Sequence, residues 1–116
     1  MAKNQRYTNG ALHIKVTAPR DVKSGDPVRV GAINGVAQID AKAGEEVTIW
    51  LDQSWDIPVA GAVSQGGLVH ITGAGALTAT ATGNFAWGVA LATKGTGTAD
   101  LEVRPLGYST QTAAGA

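Results

Sequence analysis

The 116-residue chain has no cysteine, one phenylalanine and one methionine, and only 5% of its residues are aromatic. The missing cysteine excludes disulfides and thiolate metal centres. The shortage of large side chains, against an abundance of Gly, Ala and Thr, means that a core must be built from small parts. A fully buried Val, Leu or Ile contributes about 1.5–3 kcal/mol and an alanine much less, so a lone monomer of this composition is expected to be marginally stable. Burial against neighbouring copies is the natural remedy. Long apolar runs are also missing: the longest, Phe85 to Ala92, has eight residues, where a membrane-spanning helix needs about 20. Lys3 and Arg6 are followed by Tyr-Thr-Asn-Gly rather than by an apolar stretch, which is unlike a secretory signal. The expectation is a soluble protein, not exported by that route and without a membrane partner.

Net charge is zero, but it is unevenly spread. Residues 1–29 hold six Lys/Arg against two Asp, residues 30–60 hold one Lys against five Asp/Glu, and from Ile57 to Thr93 there is no formal charge. A balanced total argues against nucleic acid as the main partner, because phosphate binding needs an excess of cations on one face. The uncharged stretch is unusual for a solvated surface, and part of it is expected to be covered by another chain.

The firmest local pattern is Ala43-Gly44-Glu45-Glu46-Val47-Thr48-Ile49-Trp50-Leu51. A Gly-terminated turn feeds a strand with Val47, Ile49 and Leu51 on one face and Glu46, Thr48 and Trp50 on the other, the period of two of a half-buried strand. Leu12-His13-Ile14-Lys15-Val16-Thr17 alternates in the same way and stops before Pro19, which lacks the ladder N–H. Asn34-Gly35 lies between Val30–Ile33 and Val36–Ile39 and predicts a hairpin turn there. Pro58 marks Asp56–Val59 as an edge or short strand. Further strands are predicted at Leu68–Thr72, Ala76–Thr80, Phe85–Ala92 and Leu101–Arg104, with Lys94-Gly95-Thr96-Gly97 as the last hairpin. Turn signals every eight to twelve residues or so, without sustained helical periodicity, predict an all-β fold: a single small β-sandwich or β-barrel domain over 12–106, an extended N-terminal arm over 1–11 and a C-terminal tail over 107–116.

Chemistry-bearing constellations are sparse. His13 and His70 have no third converging ligand in the spacing and read as ordinary surface or interface histidines. Asp52-Gln-Ser-Trp-Asp56 opens like a calcium loop, but Ile57 and Val63 stand where the turn Gly and the bidentate Glu are required. Glu45 and Glu46 are adjacent and face opposite ways on a strand. Gly95-Thr-Gly97 lacks the rest of a dinucleotide loop, and Ser24, Ser54, Ser64 and Ser109 have no nucleophile-elbow surroundings. The chain reads as a non-enzyme without cofactor or metal. Trp87 shares parity with Phe85, Val89 and Leu91 and is assigned to the core. Trp50 and Trp55 divide between core filling and a contact surface, where tryptophan is enriched.

Ser24-Gly-Asp-Pro-Val28, Val30-Gly-Ala-Ile-Asn-Gly-Val-Ala37, Ala43-Gly-Glu-Glu-Val47, Asp56-Ile-Pro-Val59, Thr82-Gly-Asn84, Gly88-Val-Ala90 and Leu101-Glu-Val-Arg-Pro-Leu106 resemble, in order and spacing, the tailed-phage capsid cement (decoration) proteins over about residues 12–106. After Gln65-Gly66, where an aromatic-acidic strand is expected from that likeness, this chain has Gly67-Leu-Val-His-Ile-Thr72. The resemblance implies a homotrimer on the outer surface of the expanded icosahedral head, holding adjacent major capsid subunits together. Under it, Lys3, Asn4, Gln5, Arg6, Tyr7 and Thr8 become candidates for a capsid-binding arm, and Trp50 and Trp55, with the loops around Gly61–Gly67, for the trimer interface. The alternatives are a glycan-binding β-sandwich adhesion module with tryptophan stacking platforms, or a subunit of another virion assembly such as tail or baseplate.

Overall fold

A computed structural model describes Asn4, Arg6 and residues 10–108. Among these there is no helix, and the chain is all-β, as the turn spacing predicts. It builds two curled sheets that pack on each other. The first carries β1 (His13–Thr17), β2 (Pro27–Val30), β3 (Ile33–Ala37) and β4 (Glu46–Trp50), and the second carries β5 (Trp55–Ala60), β6 (Leu68–Ile71), β7 (Leu77–Thr78), β8 (Phe85–Ala90) and β9 (Thr98–Pro105). A two-residue β10 (Gly107–Tyr108) brings the chain back to the first sheet.

In the first sheet β1 lies antiparallel to β4, from His13 opposite Trp50 to Thr17 opposite Glu46. β3 takes β2 along one side; β4 and then β10 share its other side, with Val36 opposite Trp50 and Asn34 opposite Gly107. Val47, Ile49 and Leu51 are buried, as their alternation predicts, and gather with Ile14, Val28 and Ala37 into one apolar cluster. The second sheet closes on itself in the order β5-β7-β6-β8-β9 and fills its interior with Ile57, Val59, Val69, Ile71, Trp87 and Val103, among others. Closure removes the open edges that would otherwise invite mispairing. All its pairings are antiparallel except β5–β7, a short parallel contact at Val59 and Ala60.

Two local expectations are corrected. Asn34-Gly35 is not a turn: the β2–β3 hairpin closes three residues earlier, with Val30 opposite Ile33 and Gly31-Ala32 as the two-residue loop. Gly31, the first loop residue, has φ +59°, as a two-residue loop opening on glycine requires. Asn34 is buried, and Gly35 is needed for close approach, since a Cβ there would stand 2.7 Å from the Trp50 carbonyl oxygen. Pro58 lies not on an edge but within a six-residue strand of the closed ring; β7 reaches only Val59 and Ala60, so Pro58 has a strand neighbour on one side, opposite Asp100.

The two cores meet at β2 and β3. Successive residues of β3 face opposite ways, so Ala37 joins the first cluster while Val36 enters the barrel cluster. Trp87 sends its indole N–H out of the barrel to the Val28 carbonyl, at 3.1 Å.

Candidate functional site

Three surface features carry the chemistry, and each is positioned by strand pairing. The first is the aromatic group at the junction of β4 and β5. Pairing of His13 with Trp50 on adjacent strands stacks the imidazole on the indole, with centroids 4.0 Å apart and planes 13° apart. The His13 Nε2 lies 2.9 Å from Asp52 Oδ1. Trp55 meets Trp50 edge to face at 6.1 Å and donates its indole N–H to the Asp52 carbonyl at 3.0 Å. The candidates Trp50 and Trp55 are thus brought together, both half-buried, beside a His–Asp pair. Trp50 gives one ring face to His13, which removes that face from sugar stacking. The involvement of His13 is readable in sequence only once the β1–β4 register is known.

The second feature is an apolar patch on the barrel. A β-bulge in β8 sets it: Val69 pairs with Gly88 while His70 pairs with Ala86, which leaves Trp87 as the extra residue. Bulges re-aim side chains, and here the shift resets the parity along the strand. Trp87 points inward, as expected, but Val89 and Leu91 do not share its face. Ala90 is buried, whereas Leu68, opposite Val89, is 50% exposed and Leu91 is 38% exposed. Gly88 is required at the bulge, because a Cβ would lie 2.7 Å from the Arg104 carbonyl oxygen.

A third feature sits at the seam between the sheets. Arg29 of β2 places its guanidinium 3.3 Å above the centroid of the Phe85 ring. Arg20 donates to the Pro27 carbonyl at 2.7 Å and reaches the Gly75 carbonyl at 3.5 Å. Together they line a cavity of 170 Å³ with Pro19, Ile71 and Thr72.

The histidines diverge. His13 is at the surface group described above, whereas His70 is buried in β6, contrary to the expectation of two surface or interface residues. Its Nδ1 has no hydrogen-bond partner, and burial lowers its pKa from the ordinary imidazole value. β6 lies between two strands of the closed ring, with His70 opposite Thr78 of β7 and Ala86 of β8. A larger depression of 490 Å³ carries Asp21, Asp26, Asp40 and Glu45. These carboxylates accept from the main-chain N–H of Ala43, Lys23, Ser24 and Lys42 respectively, so they act as turn braces. Among the described residues no three His, Asp or Glu side chains converge as metal ligands.

Of the candidate arm, Lys3, Gln5, Tyr7 and Thr8 lie outside the described residues, and Asn4 and Arg6 are exposed. Its base is fixed. Gly10 and Ala11 both have positive φ, +72° and +55°. The Tyr108 hydroxyl donates to the Ala11 carbonyl, and the Leu51 N–H to that of Leu12.

A closed barrel braced against a curled sheet, with aromatic, apolar and cationic groups at its surface and four carboxylates committed to turns, defines a small all-β protein. The chain belongs to the phage cement protein family, which matches residues 7–105. The role is therefore capsid-associated and structural. No curated protein matches the chain.

Proposed function

We propose that the protein is a decoration protein that sits on the outer surface of the expanded icosahedral head as a homotrimer and clamps adjacent major capsid subunits at three-fold and quasi-three-fold positions. The observation that carries this reading is the family match, which runs from the arm through the whole of β9. Several features support it. The exposed Leu68 and Leu91 and the half-buried Trp50 and Trp55 are apolar surface that assembly would cover. Among the described residues β1 pairs with one strand only, β4, which leaves main-chain groups for an added strand. Synthesis in the host cytoplasm and assembly on the head after expansion fit a small β protein that works without a cofactor. Three arms per trimer would let weak contacts combine through effective concentration.

The test is co-sedimentation of purified protein with expanded shells lacking it, compared with unexpanded shells. Saturable binding to the expanded form in multiples of three per site is expected. Absence of binding to either form removes the reading and leaves a glycan screen, read by tryptophan fluorescence, as the next step.

A further inference from the structure

The seam cavity holds two arginines without an acid. The two ion pairs among the described residues are His13–Asp52 and Lys42–Asp21, so neither Arg20 nor Arg29 has a carboxylate within ion-pair distance. Arg20 is pinned by the Pro27 and Gly75 carbonyls and lies so close over Gly75 that a Cβ there would collide with its guanidinium. Arg29 is held by the face of Phe85 and has no hydrogen-bond acceptor among the described residues. A guanidinium carries its five N–H donors in the plane of the group, so stacking one face on a ring leaves the donor edge open for a bidentate acceptor. Burial lowers the pKa of Arg29. An arginine nevertheless keeps its charge in proteins, so the cation is partly desolvated without a counter-ion and gains by acquiring one.

We propose that Arg29, stacked on Phe85, and Arg20 in the same cavity are a docking socket for a carboxylate side chain of the capsid shell protein. This rests on the cement reading and deepens it by naming a contact. The occupant follows from size and charge. A cavity of 170 Å³ takes a side chain rather than a polymer. Two cations in a chain of zero net charge do not make the cationic track that a nucleic acid needs. Both guanidiniums are fixed before the partner arrives, which spares the ordering cost of long side chains.

The test uses the full chain and expanded shells. Arg29→Gln is expected to weaken shell binding by about tenfold or more, and Arg29→Lys by an intermediate factor, because lysine keeps the charge but lacks the planar fork. Unchanged tryptophan emission and thermal midpoint establish that each variant is folded; should Arg29→Gln not fold, Arg29→Lys and Phe85→Leu carry the test. Amidation of the shell carboxylates should weaken the wild type by a larger factor than it weakens Arg29→Gln. Variants that bind as the wild type does, or an equal fractional loss on amidation, overturn the socket. Inorganic phosphate that displaces the wild type but not Arg29→Gln, with amidation silent, makes the ligand a phosphate and overturns the carboxylate assignment. Wild-type protein that binds no shell overturns the cement reading itself, and the socket's partner falls with it.

Discussion

The indole N–H of Trp87, buried in the barrel, donates to the main-chain carbonyl of Val28 in the other sheet at 3.1 Å. One side chain therefore fills one core and satisfies an acceptor in the other. Trp87→Phe keeps most of the packing and leaves the Val28 carbonyl to lose its indole donor, at a cost of about 1–3 kcal/mol. Trp87→Ala adds a cavity and is expected to cost about 3–5 kcal/mol. Denaturant titration at fixed protein concentration measures both, and equal stability of Trp87→Phe and wild type would show that the bridge contributes nothing.

Gly35 tests the close approach of β3 to β4. A methyl group there meets the Trp50 carbonyl at 2.7 Å across the β3–β4 ladder, so Gly35→Ala should destabilise by about 1–3 kcal/mol. Gly95 has open space around it and no positive φ. Gly95→Ala is expected to be neutral or stabilising by up to about 1 kcal/mol. The thermal midpoints of the two variants check this: a Gly35→Ala variant as stable as Gly95→Ala would show that the close approach to the Trp50 carbonyl is not limiting.

His70 sets a pH dependence. Burial depresses its folded pKa below the ordinary value of about 6.5. The unfolded chain then binds more protons than the folded one in the interval between the two pKa values, so stability is full above about pH 6.5 and falls as the pH drops through that interval. His70→Leu removes the titration and leaves no orphaned Nδ1. The difference in stability between wild type and His70→Leu should move toward the variant from about pH 7.5 to about pH 5.5. A pH-independent difference would mean that His70 does not titrate differently in the two states.

Trp50 and Trp55 carry the proposed trimer contact. Trp50→Ala and Trp55→Ala should each raise the trimer dissociation constant, by about tenfold or more if the indoles are hot spots. Sedimentation equilibrium reads this directly. Unaltered dissociation in both variants assigns the pair to intramolecular packing with His13 and Asp52.

The arm is tested by deletion. Removing residues 2–10 should abolish shell binding while the trimer remains folded, because Leu12 and everything after it stay in place. Full binding by the truncated protein would rule out the arm as the capsid contact.

Local alternation was sufficient for part of this. Val47, Ile49 and Leu51 face a core because a strand shows alternate residues to opposite sides, and that needs no partner. The all-β class followed from the spacing of Gly-containing turns, and the order of those turns carried the family. Partner choice was not legible. Asn34-Gly35 has the local preferences of a hairpin loop, yet β2, β4 and β10 enclose β3 and bury both residues. The parity of Phe85–Leu91 was read as continuous, and a single extra residue opposite β6 turned Val89 and Leu91 outward. Arg20, Arg29 and Phe85 are scattered in sequence and share a cavity only because the barrel packs against the first sheet at β2. Periodicity within a strand is a property of the backbone and is written in the sequence; register, bulges and the meeting of two sheets are set by long-range pairing, which only the tertiary structure decides.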